Sequence, residues 1–198
     1  MKLGCVVLAA GQGRRFGDNK LLQMLAGQPV LGHVLSALPQ ERFERIAVVA
    51  STQGVETLCS QQGLACLRYP GGPQSESIRR GAAAMEGMDG CLFVMGDQPL
   101  CARESMENMV DAFLAHPEAV IRLAWGETPC SPVLFPQKYF QKFQSLTGEQ
   151  GGMSVLKGLD VPIRLIQAKE EAELWDVDTR AELEKLEAQL VKRRLDQP

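Results

Sequence analysis

Five short runs, at residues 3–9, 45–50, 65–69, 91–95 and 119–123, are apolar almost throughout. A strand with one face in water alternates apolar and polar residues; a run without alternation is covered on both faces. The intervening segments 30–38, 55–62, 75–88 and 103–115 carry apolar residues at helical spacing. Strand and helix in alternation predict an α/β fold, with a doubly wound, mostly parallel sheet. The rhythm breaks after Trp125, with Thr128-Pro129 and Ser131-Pro132 ahead of a strand-like Val133-Leu134-Phe135. Helical patterns at 138–146 and 153–159 follow, then a strand at 162–166. An amphipathic helix over 179–195 carries Leu183, Leu186 and Leu190 on one stripe. With no repeat or linker, residues 1–198 read as a single domain, with a subregion at about 125–160 that closes over the carboxyl edge of the sheet.

At 198 residues a chain can bury about 70% of its unfolded surface, so a core needs no disulfide or metal staple. The balance of 21 basic against 24 acidic residues, net −3, argues against nucleic acid or an anionic membrane as the partner, since either favours a basic face. No apolar run approaches the roughly 20 residues that span a bilayer. The start Met1-Lys2-Leu3-Gly4-Cys5 mimics a lipoprotein cleavage site, but no hydrophobic region precedes the cysteine, so a cytoplasmic location is expected. The six cysteines form no Cys-x-x-Cys pair and the two histidines are His33 and His116. Zinc or iron–sulfur ligation has no support in that pattern. Cys5 and Cys91 read as small buried hydrophobes.

Ligands of open α/β sheets sit at the carboxyl ends of strands. The first strand ends in Leu8-Ala9-Ala10-Gly11-Gln12-Gly13-Arg14-Arg15-Phe16-Gly17-Asp18-Asn19-Lys20. Small residues let backbone amides approach a ligand and nest an anion. Arg14, Arg15 and Lys20 repel one another unless an anion lies between them, so the loop reads as an anion site. Standing in that loop, Lys20 is expected to contribute little to stability. The glycine spacing also resembles a dinucleotide fingerprint, yet the second strand closes on Ser51-Thr52 without the ribose-binding acid. The Walker pattern fails at Asp18. The fourth strand runs into Gly96-Asp97-Gln98-Pro99. One carboxylate at a strand tip opposite a cationic loop suits Mg²⁺, which takes one or two carboxylates plus substrate phosphates; a plain turn is the alternative.

Together, Leu8-Ala9-Ala10-Gly11-x-Gly13-x-Arg15-Phe16-Gly17-x-x-Lys20 and Gly96-Asp97-x-Pro99 resemble the small nucleotidyltransferases related to molybdenum cofactor cytidylyltransferase. The guanylyltransferase for the same cofactor and methylerythritol phosphate cytidylyltransferase are relatives. Further matches run to about residue 183: Gly71-Gly72 with Ser77-Ile78 and Gly81, Ser131-Pro132-Val133-Leu134-Phe135, Gly148-Glu149 with Gly151, and Asp176-Val177-Asp178-Thr179. The resemblance implies a Rossmann-like nucleotidyltransferase fold. It implies that Leu8, Ala9, Ala10 and Gly11 frame base and ribose, that Gly13, Arg14 and Arg15 wrap the triphosphate, and that Lys20 reaches the α-phosphate. Gly72 and Ser77 would meet the base, and Asp97 with Asp176 or Asp178 would hold Mg²⁺. Arg15, Lys20 and Asp97 would carry catalysis, moving CMP from CTP to a phosphorylated acceptor such as molybdopterin, with a molybdoenzyme receiving the product. CTP is expected over GTP, because the Ala10 methyl fills space beside the base plane.

The acceptor side departs from the family. Ser131 stands where His is common, Glu149 where Asp is common, and Gly152-Met153 where Ala-Arg is common. Thr179 and Glu182 form the spacing of a capping box, a structural reason for that stretch. Two alternatives follow: a maturation factor that binds nucleotide without transfer, and an NADP-dependent reductase. His33 and His116 read as surface or helix-end residues, Trp125 and Trp175 as buried packing, and Lys192-Arg193-Arg194 as a complement to the last helix's dipole.

Overall fold

The structure, a computed structural model, describes residues 1–11 and 19–195. In chain order its elements are β1 (Leu3–Ala9), β2 (Met24–Leu25), β3 (Gln28–Pro29), α1 (Val30–Ala37), β4 (Arg45–Ala50), α2 (Gln53–Gln61), β5 (Ala65–Arg68) and α3 (Gln74–Ala84). Then come β6 (Gly90–Met95), α4 (Arg103–Ala115), β7 (Val120–Trp125), β8 (Thr128–Pro136), β9 (Ile163–Gln167) and α5 (Arg180–Leu195). Seven strands form one sheet in the order β5-β4-β1-β6-β8-β7-β9, and β2 with β3 makes a separate hairpin.

The doubly wound, mostly parallel sheet expected from the apolar runs is present. Strands β4, β5, β1 and β6 pair in parallel, as do β7 and β9. Because β1 lies between β4 and β6, the chain changes direction across the sheet there, and the two strand tips part at a switch point. Side-chain alternation along β1 separates two cores. Cys5, Val7 and Ala9 meet α1, α2 and α4 on one face; Val6 and Ala10 meet Ile78 and Ala82 of α3, and Met85 just past its end, on the other. Helix α3 approaches β1 so closely that a Cβ at Gly81 would lie 2.5 Å from Val6 Cγ1.

The region after Trp125 does more than flank the sheet. Strand β8 is longer than its apolar kernel Val133–Phe135 and enters the sheet antiparallel between β6 and β7. The helices expected over 138–146 and 153–159 are 3₁₀ segments, Gln137–Ser145 and Gly152–Leu156. The first is held by buried Tyr139 and Phe143 rather than by helix propensity. Phe93, Phe135 and Phe143 meet edge to face, with centroids 5.1 to 5.9 Å apart. Beyond them the loop at 147–151 reaches the start of α3, where Ser75 N–H donates to Gly148 O at 3.2 Å.

A third, small core of Leu25, Val30, Leu100, Ala172, Val177 and Leu186 fixes α5 and the segment before it. At the head of α5, Thr179 and Glu182 make the expected capping contacts. Three readings are corrected. Trp125 is 43% exposed rather than buried. Arg193 is occupied by Glu170 at 2.6 Å and by Leu100 O at 3.1 Å, a tertiary tie beyond any dipole effect. His33 is no decoration: its Nε2 lies 2.7 Å from Leu25 O and fastens the β2–β3 hairpin to α1. Among the described residues no helix is long and apolar enough to cross a membrane.

Candidate active site

The tips of β1 and β6 are joined by Gly96 N–H donating to Leu8 O at 3.0 Å. A Cβ at position 96 would lie 3.0 Å from that same oxygen and 3.3 Å from Ala9 Cβ, so glycine lets the tips close and sets Asp97 at the edge. Asp97 O accepts from Val177 N–H at 3.0 Å, and Gln98 Nε2 donates to Leu174 O at 3.3 Å. Val177 is fully buried in the third core. In extended backbone its neighbours Asp176 and Asp178 therefore project to the opposite side.

Lys20 is carried on the short 3₁₀ segment Lys20–Leu22, whose first turn is capped by Asn19 Oδ1 accepting from Leu21 N–H at 3.1 Å. Asn19 in turn donates to Thr52 Oγ1 at 2.9 Å. The consequence is a directed side chain: Lys20 Nζ lies 2.6 Å from Asp97 Oδ2 and 2.6 Å from Asp178 Oδ1. Only 8% of Lys20 is exposed, so the expectation of a projecting loop lysine without structural weight is corrected. Burial alone would lower its pKa, but the charges and hydrogen bonds of Asp97 and Asp178 outweigh that and raise it.

Among the described residues the charge around Lys20 is not balanced. Asp176 is exposed as a residue, yet partial desolvation of its carboxyl, then the neighbouring charge of Asp97, push it up to about 6; a Gln98 hydrogen bond and Lys20 oppose the rise. Asp97 Oδ1 is buried and accepts no hydrogen bond from the described residues. A buried carboxylate oxygen without a donor is a costly vacancy in a hydrogen-bond inventory. It is the atom a cation would take. Among the described residues no three His, Cys, Asp or Glu side chains form a ready-made metal cage; two carboxylates completed by phosphate oxygens are a sufficient Mg²⁺ set.

In front of these groups opens a cleft of about 740 Å³. Leu8, Ala10, Gly11, Lys20, Gly72, Ser77, Asp97 and Asp178 all line it. Ala9 does not; its methyl is buried on the opposite face of the sheet. Ser77 Oγ shares a hydrogen bond of 2.7 Å with Tyr69 OH, which fixes the hydroxyl at the cleft wall. Gly13, Arg14 and Arg15 lie outside the described residues. Leu21, Pro73, Gln74 and Met95, which carry no assignment from the sequence, also line the cleft, as does Glu149. Glu149 Oε2 accepts from Gln74 N–H at 3.3 Å, a carboxylate at the start of α3 that motif matching placed only on the acceptor side.

The profile of the MobA-like NTP transferase domain family matches residues 5–167. The chain belongs to this family. It is 27% identical over 201 residues to the purine catabolism protein PucB of Bacillus subtilis, covering 89% of this chain and 92% of that protein. It is 30% identical over 119 residues to the 2-C-methyl-D-erythritol 4-phosphate cytidylyltransferase of Dehalococcoides mccartyi, a match over 56% of this chain and about half (52%) of the relative's length. A solved nucleotidyl transferase from Methanothermobacter superposes with a TM-score of 0.83 at 22% identity, over 97% of this chain and 99% of the other. The family member described here is thus a nucleotidyltransferase-type chain in sequence and fold.

Proposed function

We propose that this family member transfers CMP from CTP to a phosphorylated acceptor and releases pyrophosphate, with molybdopterin or a related cofactor as the acceptor. The observation that carries the reading is Lys20 Nζ between Asp97 and Asp178 at 2.6 Å each, with Asp97 Oδ1 accepting no hydrogen bond from the described residues. Nucleotidyl transfer needs little covalent help from protein and much positioning and charge neutralisation, and this arrangement supplies both. The cytidylyl preference is supported by Ala10 on the cleft wall and by a relative named as a cytidylyltransferase. The cofactor acceptor rests on the motif resemblance alone.

In the proposed reaction an oxygen of the acceptor phosphate attacks the α-phosphorus in line. The bond from that phosphorus to the bridging oxygen breaks, and pyrophosphate leaves with the electron pair. Bound Mg²⁺, held by Asp97 with Asp178 or Asp176, would supply neutralisation of phosphate charge. Lys20 has a compact ammonium on a flexible stem and turns from the carboxylates to the α-phosphate oxygens, where negative charge builds. Gly11 faces room for the nucleotide, since none of the described residues lies within 4 Å of a Cβ placed there. Gly72 and Ser77, which line the cleft, are assigned to the base. Arg15, with Gly13 and Arg14, is assigned to the triphosphate, and the reaction to the cytoplasm.

Thermal shift with CTP, GTP, ATP and NADPH, each with and without Mg²⁺, tests the binding half. Mg²⁺-dependent stabilisation by CTP above the others is expected, and stabilisation by NADPH without metal would overturn the reading. Pyrophosphate release from CTP and molybdopterin tests the transfer half. Binding without release would make the protein a nucleotide-binding maturation factor.

A further inference from the structure

Ser77 of α3 stands on the wall of the cleft, and Tyr69 lies behind it without lining the cleft itself. Tyr69 is buried and shares a core with Val49 and Ile78. Its OH and Ser77 Oγ lie 2.7 Å apart. Backbone and ring are both held. Tyr69 N–H donates to Ala50 O at 3.0 Å, and Arg80 Cζ sits 4.6 Å over the ring centroid. Arg80 is itself tied to Glu76 Oε1 at 2.7 and 3.1 Å. A Cβ at Gly72 would lie 3.7 Å from Tyr69 Cε2. Tyr69 thus supports both residues assigned to the base from behind.

The direction of that hydrogen bond follows from its surroundings. A serine or threonine hydroxyl inside a helix can turn back to the carbonyl four residues earlier. Thr57 and Ser60 of α2 do so, donating to Gln53 O and Glu56 O at 3.0 Å each. Among the described residues Ser77 Oγ makes no such bond to Pro73 O; it is engaged by Tyr69 instead. A phenol proton buried without an acceptor is costly, and among the described residues the acceptor in reach of Tyr69 OH is Ser77 Oγ. Tyr69 therefore donates. A hydroxyl has one proton and two lone pairs, so Ser77 accepts on one side and keeps its own proton for the cleft.

We propose that Tyr69 is a positioning residue for base selection: it holds the Ser77 hydroxyl as a hydrogen-bond donor into the cleft, and that donor selects a base with acceptors on its pairing edge. The inference rests on the nucleotidyl-transfer reading for the presence of a base beside Ser77. The pairing edge of cytosine offers two acceptors, O2 and N3, beside the 4-amino donor. Guanine offers the reverse, with donors at N1 and the 2-amino group beside the O6 acceptor. A fixed donor therefore adds more to the affinity of CTP than to that of GTP, independently of the space that Ala10 fills. Without the phenol OH the Ser77 hydroxyl is released to swing to Pro73 O, as Thr57 and Ser60 do in α2, and the cleft loses its donor.

Tyr69→Phe keeps the ring, its packing and the Arg80 contact, and deletes the hydroxyl. Isothermal titration of the full chain with Mg²⁺ compares CTP, GTP and inorganic tripolyphosphate, which carries phosphate charge without a base. CTP affinity should fall about 3- to 10-fold, the range for one neutral hydrogen bond, with GTP and tripolyphosphate within about twofold. Ser77→Ala should cost CTP a similar factor, and adding Tyr69→Phe to it should change nothing further. Parental CTP affinity in Tyr69→Phe would overturn the proposal, as would an equal loss for tripolyphosphate, the mark of a merely structural effect. Additive losses in the double variant would overturn it too. Should Tyr69→Phe fail to fold, Ser77→Ala decides: a narrowed gap between CTP and GTP supports the donor, and parental CTP affinity overturns it. Failure of the parental chain to bind CTP would instead fall on the nucleotidyl-transfer reading.

Discussion

Replacing Lys20 with Met keeps the length of the side chain and removes its charge. Two ion contacts of 2.6 Å are lost, to carboxylates whose side chains are 15% exposed at Asp97 and 51% exposed at Asp178. Water can resolvate Asp178, so that contact contributes little. Asp97 already has one oxygen without a donor among the described residues, and losing Lys20 leaves both oxygens without one there. A hydrogen bond to a charged group contributes about 1.5–3 kcal/mol. At 2–4 °C per kcal/mol for a chain of this size, melting should fall by roughly 3–12 °C. Turnover should fall by roughly 10²–10³, the loss typical of one preorganised charge donor. Adding Asp97→Asn to Lys20→Met removes the orphaned charge and should recover part of the melting temperature, a coupling of about 1 kcal/mol or more. Differential scanning calorimetry and pyrophosphate release read the two effects separately. A single variant that melts within about 1 °C of the parent and turns over normally would refute both the structural and the catalytic role.

Asp97→Asn alone should cut activity severely and flatten the Mg²⁺ dependence of CTP binding in isothermal titration; an unchanged Mg²⁺ titration would return Asp97 to a turn former. CTP should bind more tightly than GTP by roughly 10–200-fold, the span of a methyl-sized contact, and Ala10→Gly should narrow that gap in competition binding. At the β2–β3 turn Ala26 holds φ of 48° beside Gly27 at 89°, so Ala26→Asn, which creates the favoured Asn-Gly pair, should stabilise the fold by about 0.5–1 kcal/mol in chemical denaturation.

Much of the architecture was legible in the sequence because fully apolar runs leave few alternatives. The spans 3–9, 45–50 and 103–115 match β1, β4 and α4 residue for residue. Direction was not legible for β8, since Val133–Phe135 states burial on both faces and says nothing about which way the strand runs. The order of the strand-tip motifs pointed to Lys20, Asp97 and Asp178. Their mutual contact did not follow from that order: it depends on Gly96 closing two strand tips and on Val177 being buried. Ala9 turns its methyl away from the cleft although the motif groups it with Ala10, because in a strand adjacent residues face opposite sides.

Lys20 meets a carboxylate that lies 158 positions further along the chain, and that has a consequence for timing. During synthesis the amino-terminal strands, with the tip of β6, emerge long before Asp178. At 5–20 residues per second, translation from position 97 to 178 takes roughly 4–16 s. Through that interval Lys20 can pair only with Asp97, and the segment that supplies Val177 N–H to Asp97 O does not yet exist. A nascent chain can thus assemble sheet and cleft without the arrangement that would handle phosphate, which arrives with the docking of Val177. Assembly of this arrangement is in that sense a late event in the life of the polypeptide, and an interrupted product would lack both the second carboxylate and the residues that complete the third core.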